Sequence, residues 1–137
     1  ELMKNLKEEY QTSMIMITHD LGIVAEVCDE VAVMYAGRIV EKGLLEDIFN
    51  RTKHPYTEGL FNSLPNINDR KAKLKPIAGL MPDPTNLPKG CSFYPRCPYA
   101  IDKCRENKPA PKWLTPTHMV ECFGYDNPDF HIAREEI

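Results

Sequence analysis

The sequence predicts an α/β unit, ordered helix, strand, helix and β-hairpin, followed by a loop-rich extension dense in cysteine and proline. Two observations predict it. All twelve prolines of the 137-residue chain lie at Pro55 or beyond, and proline breaks helix interiors and central strands. Four of the five cysteines lie between Cys91 and Cys122. Regular structure is therefore expected over residues 1–50, a helix and linker over 51–75, and a Cys-rich extension of loops and turns over 76–137.

Leu2, Met3, Leu6 and Tyr10 fall on one face of a helix. Ser13–Thr18 reads SMIMIT, an apolar run without alternation. Such a run suits a strand buried on both faces of a parallel sheet. Leu21, Val24, Ala25 and Cys28 form a second helical stripe, with Asp20 as its N-cap and Cys28 read as core. Val31–Tyr35 and Arg38–Val40 flank Ala36-Gly37, the pattern of a hairpin. Gly43 punctuates, and Leu44–Asn50 reads as a short helix. His54–Leu64 is another, with Pro55 in its first turn and Tyr56, Leu60, Phe61 and Leu64 sharing a face. Residues 65–90 carry five prolines and no periodicity. Phe130–Ile137 reads as a ragged tail.

Net charge is −3, distributed as −6 over residues 1–50, +4 over 51–75 and −1 over 76–137. This balance argues against a domain built to neutralise nucleic-acid phosphates, so no nucleic-acid partner is expected. The basic stretch Arg70-Lys71-x-Lys73-x-Lys75 reads as a solvated loop. No apolar run approaches the ~18 residues of a membrane helix. There is no secretion signal, and the chain opens inside a helical pattern without Met, as a piece of a longer protein would.

Few residues could carry chemistry. His19 follows the expected strand and precedes a helix, a place where open α/β sheets bind ligands and an imidazole can meet a phosphate oxygen. Cys91, Cys97, Cys104 and Cys122 are separated by 5, 6 and 17 residues. A proline-rich segment with few apolar side chains needs something to offset its chain entropy, and four thiolates on one centre can supply it. Two disulfides, a Cys₄ zinc site and an iron–sulfur cluster compete. The absent secretion signal weighs against disulfides, and the absent C-x₂₋₄-C pairs weigh against zinc. Phe93, Tyr94 and Tyr99 stand near the cysteines, and Trp113 is read as the hydrophobic plug of this lobe. His118 is read as a surface-loop histidine with ligation as the rival role, and His54 as a cap or packing residue. No G-x-x-x-x-G-K-[ST], G-x-S-x-G or H-E-x-x-H occurs, so the chain carries no complete catalytic apparatus.

The text ITHDLGIVAEVCDEVAVMYAGRIVEKG, ending at Gly43, closely resembles the switch-histidine end of ABC-transporter ATPases. His54-Pro-Tyr-Thr57 and CSFYPRCPYAIDKC resemble the C-terminal extension of the ATP-binding subunits of oligopeptide/dipeptide importers. The resemblance spans residue 1 to about Gly124. It implies that residues 1–50 are the end of an ABC ATPase domain and that His19 is the switch histidine touching the ATP γ-phosphate. The phosphate cradle, signature motif and catalytic Glu would lie in a preceding part, so ATP and Mg²⁺ bind only in the full-length ATPase and this chain alone is inactive. Some members of this subfamily hold a [4Fe-4S] cluster in the extension, and Cys91, Cys97, Cys104 and Cys122 match its ligand spacing; zinc is the alternative. Implied partners are a second ATPase subunit and a membrane permease at the cytoplasmic face of a prokaryotic membrane. A rival reading is a free-standing zinc or iron–sulfur interaction protein. The chain by itself is expected to self-associate through Ser13–Thr18 or Val31–Val40, since unpaired strand edges recruit strands.

Overall fold

The computed structural model describes residues 2–65 and 74–132. Its centre is a four-stranded antiparallel sheet. Strands β1 (Glu30–Tyr35) and β2 (Arg38–Leu44) form the expected hairpin. Ala36 and Gly37 take φ of 47° and 77°, the paired left-handed geometry whose twist matches that of the flanking strands. The extension supplies the other half: β3 (Lys112–Thr115) and β4 (His118–Val120) pair across the Pro116-Thr117 turn. β4 then pairs with β2, with Glu41 opposite Val120 and Lys42 opposite Met119, giving the order β1-β2-β4-β3.

This sheet changes two expectations. The stretch 91–122 holds short strands and a helix as well as turns, because an antiparallel neighbour gives even a three-residue strand ladder partners. Every residue of β4 is buried. The edge of β2 is covered by β4, so self-pairing of residues 31–40 would have only the outer edge of β1 available.

Helix α1 (Leu2–Tyr10) forms where the apolar stripe predicts it, and α2 (Leu21–Val27) follows the Asp20 cap, whose Oδ1 accepts from the N–H groups of Gly22 and Ile23. Neither helix buries a residue. Cys28 caps α2 half-buried instead of sitting in the core. Ser13–Thr18 is not a strand: Ile15 and Ile17 are 96% and 97% exposed. A strand buried on both faces needs ladder neighbours and covering layers, and no described segment supplies either.

Helix α3 (Leu45–Asn50) turns back under the hairpin and buries Ile48 and Asp47. Gly43 lies within β2, where an added Cβ would come 3.0 Å from the Asp47 Cβ and 3.2 Å from the Thr117 carbonyl. It permits close approach and does not end the strand. Helix α4 (Pro55–Asn62) carries Pro55 in its first turn but buries Pro55, Thr57, Glu58 and Phe61, a different face from the apolar one expected. Helix α5 (Asp102–Glu106) is a single exposed turn or so. The buried hydrophobics are Tyr35, Val40, Ile48, Phe61, Phe93, Met119 and Val120; Tyr35, Val40 and Phe93 pack as one cluster, with the Tyr35 and Phe93 rings edge to face at 5.2 Å. Trp113 does not plug it, since it lies on edge strand β3 and is 58% exposed. Of the basic stretch, Lys75 is exposed and Arg70, Lys71 and Lys73 lie outside the described residues, as does the tail from residue 133.

Candidate metal centre

Cys91, Cys97, Cys104 and Cys122 line one cavity. Each arrives on its own element. Cys91 opens a turn that leads into a 3₁₀ turn at Tyr94–Arg96, and Cys97 closes that turn, its N–H donating to the Tyr94 carbonyl at 3.3 Å. Cys104 stands on α5, and Cys122 follows β4 and caps a second 3₁₀ turn, Phe123–Asp126. All four are half-buried free thiols. His54 and Phe93 complete the inner wall.

Burial sets the electrostatics. It pushes the Cys97 thiol up to about 12 and the Cys122 thiol up to about 11, and it also raises Cys91. The other cysteines add to each shift by like-charge repulsion. Peptide N–H groups oppose it: those of Phe93 and Tyr94 at Cys91, of Tyr99 at Cys97 and of Gly124 at Cys122, the last at 3.4 Å from the sulfur. Without metal, Cys91, Cys97 and Cys122 are therefore neutral thiols at pH 7, and a bound cation would displace their protons.

The four side chains are soft sulfur donors, and peptide N–H groups are aimed at those of Cys91, Cys97 and Cys122. Among the described residues, however, no three His, Cys, Asp or Glu side chains are grouped to hold a metal ion, so the geometry gives the expected iron–sulfur cluster or zinc no direct support.

A buried polar brace supports the cavity, and sequence reasoning missed it. Glu41 on β2 is fully buried. Its carboxylate accepts from the N–H groups of Lys53 at 2.6 Å and His54 at 3.0 Å. The third donor is His118 Nε2, at 2.7 Å. His118 is thus 1% exposed on an inner strand, not in a surface loop, and it does not line the cysteine cavity. His54 does cap α4, its Nδ1 accepting from the Tyr56 N–H at 3.0 Å. Burial drives its pKa down to about 4 against the pull of the Glu41 charge, so the ring is neutral. A second tie holds the residue before Cys122: Arg38 donates twice to the Glu121 carboxylate, both at 2.9 Å. The Tyr125 hydroxyl, its pKa raised by burial, donates to the Lys53 carbonyl at 2.7 Å. No local signal marked Glu41 or His118, because their burial depends on a pairing 77 residues apart.

His19 lies apart from this assembly. It is exposed, between the unpaired 12–18 stretch and the capped start of α2.

Fold and site together define a small α/β unit in which an antiparallel sheet, cross-braced by a buried Glu–His pair, carries a four-cysteine pocket. Comparison with known proteins gives the family. Residues 40–104, just under half of the chain, match the family model for the C-terminal region of oligopeptide/dipeptide transporters, which places that segment in the family. It is 48% identical over 126 residues to an oligopeptide transport ATP-binding protein, AppD, of Bacillus subtilis, covering 92% of this chain and 38% of that protein. It is 46% identical to OppD, of the same description, from Salmonella typhimurium, covering 89% and 36%. It is 44% identical to a dipeptide transport ATP-binding protein, DppF, of Haemophilus influenzae, covering 91% and 38%. The chain thus spans little more than a third of these relatives. Matches of this extent to transporter subunits leave the free-standing metal-protein reading without support. Among the described residues no helix is long and apolar enough to cross a membrane.

Proposed function

We propose that the chain is the C-terminal portion of an ATP-hydrolysing subunit of an ABC importer for oligopeptides or dipeptides. The observation that carries this is the 44–48% identity to such subunits over about nine-tenths of the chain. In this reading His19 is the switch histidine, and its exposure ahead of α2 leaves the imidazole free to meet a γ-phosphate held elsewhere. ATP and Mg²⁺ bind in a part of the subunit that this chain does not contain, and a second ATPase subunit and a membrane permease complete the importer on the cytoplasmic side. Electrostatics from several loops share the work in such sites. His19→Ala in the intact transporter is expected to cut ATP turnover while nucleotide affinity survives. An equal collapse of affinity and rate would remove His19 from this role.

In the same reading the extension holds a [4Fe-4S] cluster through Cys91, Cys97, Cys104 and Cys122. Their shared cavity supports a common centre, and zinc is the alternative occupant. The group would act as a staple or an electron store, and this chain's part is to bind it and keep water from it with Phe93, Tyr94 and Tyr99. Anaerobic purification followed by iron and acid-labile sulfide analysis tests it, with about four of each expected per chain. One zinc and no sulfide would overturn it.

A further inference from the structure

We propose that residues 77–81 form a strap over the aromatic core and that the Arg96 guanidinium is its latch, a fastening that opens while the sheet stays folded.

The strap has no ladder of its own. Residues 74–82 carry no helix or strand. Among the described residues, no backbone–backbone hydrogen bond joins 76–82 to the rest of the chain. Such bonding stops at Lys75, whose N–H donates to the Asn62 carbonyl at 3.4 Å. Side chains fasten the strap instead. Arg96 Nε donates to the Ala78 carbonyl at 3.0 Å, and Nη2 donates to the Ile77 carbonyl at 3.3 Å. Nη1 reaches the Met81 Sδ at 3.3 Å and the Tyr35 hydroxyl at 3.4 Å. One guanidinium therefore ties two carbonyls and a thioether of the strap to the end of β1. Its planar fork of five donors suits it to several acceptors at once.

The apolar part of the fastening is Ile77. It packs against the Tyr35–Val40–Phe93 cluster and against α4, where Gly59 leaves it room. A Cβ on Gly59 would stand 2.6 Å from the Ile77 Cγ1 and 2.9 Å from its Cδ1. Gly79, at φ 86°, turns the strap beside the latch, and a Cβ there would lie 3.1 Å from the Arg96 Cγ. Past that turn the strap faces solvent, with Leu80 and Met81 89% and 69% exposed. A segment held by side chains alone opens at less cost than a strand, whose whole ladder must break. Arg96 stands on the 3₁₀ turn that follows buried Phe93, so the post of the latch stays in place when the strap lifts. Lifting uncovers the seat of Ile77 beside Tyr35 and Phe93.

The test is chymotrypsin digestion of the native 137-residue chain in sub-denaturing urea, with cut sites and rates read by mass spectrometry. Cleavage at Leu80–Met81 requires the strap to lift into the protease cleft, so its rate follows the open population. Cleavage after Phe93 requires the core to open and serves as the reference. In wild type the Leu80–Met81 rate is expected to be nearly independent of urea, since local opening exposes little surface, while the Phe93 rate climbs steeply. Arg96→Gln is expected to raise Leu80–Met81 cleavage about tenfold and Arg96→Lys, which keeps the charge without the fork, about threefold. Gly59→Ala displaces Ile77 while giving α4 the better helix former, and is expected to raise the same rate about threefold with no loss of helix by circular dichroism. A Leu80–Met81 rate with the urea slope of the Phe93 cut overturns the proposal, because the strap then opens only on unfolding. So does a folded Arg96→Gln chain cut at the wild-type rate. If Arg96→Gln does not fold, the wild-type slope and Gly59→Ala decide, and a Gly59→Ala chain cut no faster than wild type then overturns it.

Discussion

Residues 2–28 and residues 30–126 invert the usual relation between pattern and burial. The first stretch has the clean apolar stripes, yet neither of its helices buries a residue, and Lys7 pairs with Asp29 at the surface. The second has little periodicity and much proline, yet it contains the whole described core, including Glu41, His54 and His118 at 0%, 2% and 1% exposure. A stripe states what a segment could bury. Whether it does so depends on a surface to meet, and here that surface exists only around the sheet.

The sharpest way to break the second region is to remove one member of its buried brace. Glu41→Ala leaves His118 and two peptide N–H groups without an acceptor. A loss of about 3–5 kcal/mol is expected, read as a shift of the urea midpoint; a loss under 1 kcal/mol would show the brace to be dispensable. Next comes the cavity. In the metal-free chain, burial takes Cys97 from 9.0 to about 12, so its thiolate fraction at neutral pH falls about 10³-fold below that of an ordinary thiol. Iodoacetamide alkylation followed by peptide mass mapping is expected to be slowed accordingly, and iron loading is expected to release protons.

Smaller still is the histidine cap. His54 titrates at 6.5 when unfolded and at about 4 when folded, so the unfolded chain binds the extra proton between those values. Stability is complete above pH 6.5, falls by roughly 3 kcal/mol as pH drops toward 4, and levels below that. His54→Asn keeps an N-cap acceptor and removes the titration. Its unfolding free energy is expected to be flatter over that window, and parallel profiles would contradict the assignment. The smallest effect belongs to the first region. Ile15→Ser and Ile17→Ser are expected to change the unfolding free energy of this chain by no more than about 0.5 kcal/mol, and a larger loss would erase the contrast between the regions.

The legible parts of the molecule were those decided within a few residues. The Asp20 cap, the Ala36-Gly37 turn, α3 and Pro55 at the start of α4 each follow from a local demand for a side-chain acceptor, a positive φ or a preset one. The SMIMIT run was misread because apolar text fixes neither a partner nor a layer. Trp113 was misread because size suggests burial, whereas its position on an edge strand decides against it. Gly90 carried no signal at all: the atom that forbids a side chain there belongs to a carbonyl in a helix 14 residues further on.

The pairing of β2 with β4 has a consequence for how the protein is made. Glu41 meets His118 across 77 residues, and a ribosome adds about 5–20 residues per second. For roughly 4 to 15 seconds the new hairpin has one strand edge open and a carboxylate without its imidazole. Open edges recruit other strands. Over that interval the nascent chain depends on whatever shields the hairpin, and slowing translation between Asn50 and Thr117 would lengthen the exposure without altering any contact in the finished fold.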